Sequence, residues 1–169
     1  MREKIMEEGE LVKELGRLKA LGKKIVFTNG CFDLLHVGHI RYLEAAKSFG
    51  DILVVAINSD RSVVQLKGPS RPINPTEERA EVLSALASVD YVTVFDEPDP
   101  YRIISTLKPH VLVKGGDWTK ETTVGRDLVE GQGGEVAIVP YTEGASTTGL
   151  IGRILKKSRS TPKKDSPGQ

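Results

Sequence analysis

Residues 23–60 read KKIVFTNGCFDLLHVGHIRYLEAAKSFGDILVVAINSD. The run from Lys24 to Thr28, closed by Asn29-Gly30, is too short for a helix and rich in β-branched residues, which predicts a strand. Between Val37 and Phe49 the apolar positions Ile40, Leu43 and Ala46 fall on one helical face, and Gly50 ends the segment. Ile52 to Ile57 (ILVVAI) is apolar without alternation, the pattern of a strand covered on both faces of a parallel sheet. Strand, helix and strand in this order make a βαβ unit, because parallel strands need a crossover between them.

The same alternation continues on both sides. Upstream, Leu11, Leu15, Leu18 and Leu21, with Val12, give residues 6–22 a helical stripe, and Gly22 stands where a C-cap belongs. Residues 61–73 show little periodicity and read as a loop with at most one helical turn. Asn74-Pro75-Thr76-Glu77-Glu78 predicts a helix start, with Asn74 as cap and Pro75 at the first position, running to about Ala87. Tyr91 to Phe95 reads as a strand, Pro100 to Leu107 as a short helix and Val111 to Val113 as a strand. A small helix near Gly125 to Glu130 precedes a strand from Glu135 to Val139, and Ser146 caps a last helix to about Lys157. The expected fold is α/β: a doubly wound, five-stranded parallel sheet with helices on both faces. The expected division is an N-terminal helix (1–22), one domain (23–157) and a disordered tail (158–169). In such sheets the ligand crevice lies outside the carboxyl ends of the strands.

Composition narrows the function classes. The chain has 169 residues, 38% hydrophobic and 28% charged, ordinary for a globular protein. No apolar run reaches the ~20 residues of a membrane span, and MREKIMEEGE has no secretory h-region. The single Cys31 excludes an internal disulfide and a multi-cysteine zinc site. A cytoplasmic protein fits. The net charge of +1 hides a basic end: KKSRSTPKKDSPGQ carries +4, leaving −3 on the rest. An acidic body with a basic tail is unlike a nucleic-acid-binding domain.

His36-Val37-Gly38-His39 follows the first strand at the start of a helix. That spacing puts both imidazoles on one face, at the end with the positive dipole, and Gly38 lets a ligand approach the backbone. The site suits an anion such as a triphosphate. A zinc site from both histidines and Asp33 lacks the usual four-residue spacing. Neither a G-x-x-x-x-G-K-[ST] loop nor a G-x-G-x-x-G fingerprint is present.

Gly30-x-Phe32-Asp33-x-x-His36-x-Gly38-His39 resembles the signature of the cytidylyltransferase-like nucleotidyltransferase superfamily, whose Rossmann-like members join a nucleoside triphosphate to a phosphate-bearing substrate. Lys67 resembles its mobile phosphate-binding lysine, and Arg79 an arginine that binds phosphate. Lys114-Gly115-Gly116-Asp117 resembles the segment touching base and ribose. Ser146-Thr147-Thr148 resembles the motif holding the β- and γ-phosphates. Thr28-Asn29-Gly30-Cys31-Phe32-Asp33, Asn58-Ser59-Asp60, Leu66-Lys67-Gly68-x-x-Arg71-Pro72, Val113-Lys114-Gly115-Gly116-Asp117 and Gly134-Glu135-Val136 are similar to the adenylyltransferase domain of the bifunctional enzyme of ADP-heptose synthesis. The resemblance implies transfer of AMP from ATP to D-glycero-D-manno-heptose 1-phosphate. The alternative is a CTP-dependent glycerol-3-phosphate (or other alditol phosphate) cytidylyltransferase. Its members usually carry an arginine where this chain has Tyr141.

A phosphate monoester, with its second pKa near ~6, is already dianionic at neutral pH, so direct in-line attack needs no general base. Cys31 as a covalent nucleophile is the other route. On the direct route, His36, His39 and Lys67 stabilise the reacting phosphates. The nucleotide is expected on Asn29, Gly30, Phe32, Gly38, Lys114, Gly115, Asp117, Ser146, Thr147 and Thr148. The acceptor phosphate and sugar are expected on Asp33, Arg71 and Arg79. Mg²⁺ is expected on the triphosphate and water without direct protein ligands. The 22 residues ahead of the first strand cannot hold a sugar kinase, so the kinase is expected on a separate polypeptide. A homodimer through the N-terminal helix is a further expectation; nucleic-acid and membrane partners are not expected. A nucleotide sensor without turnover is the reading from another class, and the presence of both histidines, Lys67 and Ser146-Thr147-Thr148 speaks against it.

Overall fold

The computed structural model describes residues 2–116, 118–140 and 147–160, without the side chains of Arg2, Arg159 and Ser160. A 3₁₀ turn (Arg2–Lys4) leads into α1 (Glu8–Ala20), β1 (Ile25–Gly30), α2 (Val37–Lys47), β2 (Ile52–Asn58), α3 (Asp60–Lys67) and α4 (Thr76–Ser84). Then follow β3 (Tyr91–Phe95), α5 (Tyr101–Leu107), β4 (Val111–Gly115), α6 (Arg126–Gly131), β5 (Glu135–Val139) and α7 (Thr147–Ser160). The five strands form one sheet in the order β3-β2-β1-β4-β5, and every pairing is parallel.

The unbroken apolar runs supply two cores at once. In β1, Ile25 and Phe27 point to the face covered by Leu11, Leu15 and Leu18 of α1 and by Ile103, Ile104 and Leu107 of α5. Val26 points to the opposite face, against Leu43 and Ala46 of α2 and Ala80 and Leu83 of α4. In β2, Val54 and Ala56 join the first core, and Leu53, Val55 and Ile57 the second. Alternating Cβ directions turn a continuous hydrophobic stretch into a two-sided sheet.

β1 pairs with β2 along its whole length, from Ile25↔Ile52 to Gly30↔Ile57. Its pairing with β4 stops at Phe27↔Leu112, although both strands continue. The two strands part toward their carboxyl ends, at the point where the strand order reverses, and this opens the crevice. Tyr42 of α2 fills the wedge: its hydroxyl donates to Val113 O at 3.1 Å, so Thr28 Oγ1, 2.6 Å away, donates to Tyr42. At the far end of the sheet, Ile25 N donates to His110 Nδ1 at 2.9 Å and His110 N to Ile25 O at 2.9 Å, tying β1 to β4.

Three expectations change. Residues 60–67 form a helix rather than a loop, and Ser59 caps it by accepting from Ser62 N at 3.3 Å. Pro75, not Asn74, takes the cap position of α4, because Asn74 donates its N–H to Asp33 Oδ1 (3.0 Å) and its side-chain amide to Asp33 O (3.1 Å). The last helix runs past Lys157 to Ser160. The expected cap Ser146 and the tail 161–169 lie outside the described residues.

Candidate active site

A cavity of about 490 Å³ opens between the carboxyl ends of β1, β2 and β4, within the ~300–1,000 Å³ usual for small-molecule sites. Its walls include Asn29, Gly30, Phe32, His36, Gly38 and His39 from β1 and the turn into α2. Lys67 at the end of α3, and Lys114 with Gly115 at the end of β4, line it as well. Nine of the expected site residues are therefore brought to one place.

The turn is built around Phe32. It adopts φ 46, rare for a bulky residue. Its ring packs against His39 (centroids 5.3 Å apart) and lies so close to Gly30 that a Cβ there would sit 3.1 Å from Cε2. His36 is the N-cap of α2, and its ring stacks on that of His39 at 3.9 Å. The buried Nδ1 atoms of both rings have no hydrogen-bond partner among the described residues. Burial, then Arg153, lowers the His36 pKa; burial, then His36, pushes His39 down to about 4. Burial thus favours the neutral form of both rings, and an anion bound against them would favour the protonated form.

Two lysines add charge. Lys114, 7% exposed, donates to Asn29 Oδ1 across the gap between β4 and β1, and its Nζ lies 5.6 Å from the Trp118 ring centroid. Burial pushes its pKa down to about 8. Lys67 ends α3, where Gly68 at φ 89 turns the chain away. Burial pushes the Cys31 thiol up, against the pull of Lys67 and Arg79. The site therefore keeps the thiol protonated, which speaks against Cys31 as a nucleophile.

Three residues expected at the acceptor lie off the cavity wall. Arg79 is 2% exposed and does not line the cavity. Its Nε donates to Asn74 O (3.0 Å), Nη1 to Cys31 O (2.6 Å), and Nη2 to Asn58 O (2.8 Å), Asp60 Oδ1 (2.8 Å) and Thr76 Oγ1 (3.0 Å). A guanidinium so engaged ties α4 to the chain at the ends of β1 and β2. Asp33 accepts from Arg71, Ile73 N (2.8 Å) and Asn74 N (3.0 Å), so its carboxylate latches the segment after Lys67. Neither Asp33 nor Arg71 lines the cavity. Thr147 and Thr148 also lie outside its wall; Thr147 Oγ1 donates to Leu34 O at 3.4 Å, beside the histidine turn. Asp117 and Ser146 lie outside the described residues. Tyr42 and Asp99, unmarked by any sequence motif, line the cavity as well.

Residues 27–152 match the model of a family described as cytidylyltransferase-like. The chain belongs to the cytidylyltransferase-like family. Within it, the chain is 60% identical over 138 residues to the bifunctional protein HldE of Geobacter metallireducens, covering 82% of this chain and 28% of that protein. It is 57% identical over 136 residues to the bifunctional protein HldE of Syntrophotalea carbinolica, covering 80% and 28%. The chain thus spans under a third of the length of these curated relatives. A solved lipopolysaccharide core biosynthesis protein of Thermoplasma volcanium superposes with TM-score 0.58 at 31% identity, covering 73% of this chain and all of that one. Among the described residues, no helix of this cytidylyltransferase-like chain is long and apolar enough to cross a membrane.

Proposed function

We propose that the chain transfers AMP from ATP to D-glycero-D-manno-heptose 1-phosphate, giving ADP-heptose and pyrophosphate. The observation that carries this reading is the stacked pair His36–His39 at the start of α2, with bare Nδ1 atoms, in one cavity with Lys67 and Lys114. Membership of the family, the identity to the HldE proteins and the likeness to a lipopolysaccharide core biosynthesis protein support the choice of reaction and acceptor.

The chemistry asks for charge management. The acceptor's phosphate oxygen attacks the α-phosphorus of ATP in line and pyrophosphate leaves. His36 and His39 meet the phosphates, and negative charge arriving at the cavity raises their affinity for protons. Lys114 reaches in from β4 and Lys67 from the end of α3, so the reacting group is flanked by cations. Thr147 and Thr148 at the start of α7, next to the histidine turn, take the β/γ end together with Ser146, which precedes them in sequence. Among the described residues no group of three or more His, Cys, Asp or Glu could cage a metal, and Asp99 is the sole carboxylate on the cavity wall among them. A Mg²⁺ bound with ATP would be carried by phosphate and water, supplying charge neutralisation. A sugar kinase activity supplies the acceptor.

Pyrophosphate release, measured with Mg²⁺ for ATP, CTP, GTP and UTP against heptose 1-phosphates and glycerol 3-phosphate, tests the reading. The expected result is release only with ATP and a heptose 1-phosphate, lost in His39→Ala. Release with CTP and glycerol 3-phosphate would overturn the substrate assignment and leave the mechanism. ATP binding without release in any combination would make the chain a sensor.

A further inference from the structure

The cavity has two flanks around the histidines. On the β4 side stand Lys114 and the indole of Trp118, a flat surface on which a base can stack. On the β2–β3 side stand Asn58, Leu66, Lys67 and Asp99. In-line transfer puts the attacking and leaving oxygens on opposite sides of the α-phosphorus. With the nucleoside on the Trp118 side, the acceptor occupies the other.

Asn58, at the end of β2, is 3% exposed and still lines that flank. Its amide is oriented by its neighbours. Ser62 Oγ donates its single proton to Glu97 O at 2.9 Å, so toward Asn58 it can only accept, and Asn58 Nδ2 donates to it at 2.9 Å. Nδ2 also reaches Glu97 O at 3.4 Å. Both amide protons are thereby committed, and the carbonyl oxygen is left on the opposite side. The donor it finds there is the Cys31 thiol at 3.9 Å, a weak donor at long range. A buried amide oxygen held in a fixed direction and so poorly satisfied is costly when empty and selective when filled.

We infer that Asn58 Oδ1 accepts a hydrogen bond from a hydroxyl of the sugar acceptor and helps to set acceptor specificity, with Ser62 as its positioning residue. The inference rests on the transfer to a sugar phosphate proposed above. A hydroxyl satisfies the oxygen; a hydrogen or methyl in its place leaves it unpaired.

The test is steady-state pyrophosphate release for the unmodified chain, Asn58→Ala and Ser62→Ala, with ATP and either heptose 1-phosphate or a series of its monodeoxy analogues. For the unmodified chain, one analogue should lose roughly 10–100-fold in kcat/KM. Asn58→Ala should show a similar loss on the full sugar, in acceptor KM more than in kcat, with the KM for ATP within about twofold. The same analogue should cost Asn58→Ala almost nothing further, the non-additivity that marks a direct contact. Ser62→Ala should shift acceptor KM in the same direction by less. Equal losses for ATP and acceptor, or additive losses with every analogue, would overturn the inference. If Asn58→Ala does not fold, the analogue series on the unmodified chain decides: no analogue losing more than about threefold overturns it, and one losing tenfold or more, with Ser62→Ala shrinking that loss, supports it. Absence of any release by the unmodified chain would refute the transfer reading itself, a different result from turnover that ignores Asn58.

Discussion

Lys114 and Arg79 are both buried cations, and their partners give them opposite roles. Lys114 meets one side-chain oxygen, on Asn29, and a ring, and its pKa falls to about 8 from an ordinary 10.5 because burial disfavours its charge. The folded chain then binds fewer protons than the unfolded chain between those values. Its stability cost is complete below about pH 8 and fades as pH rises toward 10.5. Lys114→Met should therefore raise stability at pH 7 by roughly 1–3 kcal/mol and lower kcat by at least about a hundredfold. Denaturant melts at pH 7 and 10 check the first part, the gain shrinking at the higher pH; turnover checks the second. Arg79 instead has its charge spread over three backbone carbonyls, Asp60 and Thr76. Arg79→Met should cost about 2–4 kcal/mol in melts, because it leaves several part-buried acceptors, and the buried Asn58 O, without their donor. The KM values of whatever protein remains folded should change little, the reverse of what a substrate-gripping arginine would show.

At the scale of elements, the segment from Gly68 to Asn74 is fastened at one end by α3 and at the other by Asp33. Asp33→Asn keeps the shape and removes the charge that draws Arg71, Ile73 N and Asn74 N together. Amide exchange at Ile73 and Asn74 should speed up by about tenfold or more, and turnover should fall through the looser hold on Lys67; exchange unchanged at both amides would refute the latch. The sequence made some of these elements plain. Tyr91–Phe95 and Glu135–Val139 are strands with the bounds that their apolar runs suggest, since buried parallel strands carry an unbroken signal. Helix α3 was hidden because its buried side chains are Ser62 and Val63, too short a stripe for periodicity; the Ser59 cap was its one mark. The histidine turn was legible from spacing alone. The burial of Arg79 was not, because an arginine behind two glutamates on a helix start reads as surface, and only the meeting of Cys31, Asn58 and Asn74 makes it interior. Tyr42 gave no signal either, being one aromatic on an amphipathic helix.

For the whole molecule, charge and edges matter most. If the function resides in the cavity, removing residues 161–169 should leave kcat and both KM values within about twofold; loss of activity on truncation would favour a role for the basic end. The sheet's two borders are treated differently. Along β3, the N-terminal segment lies against the border strand: Ile5 bridges Val92, Met6 N donates to Val92 O at 2.9 Å, and Lys4 Nζ donates to Leu86 O (3.2 Å) and Val89 O (2.6 Å). Along β5, no further strand follows among the described residues. A sheet with one border closed can be lengthened from the other side only. Two copies joined border to border would use up the free side of each, so growth by that route ends at a pair and never reaches a filament.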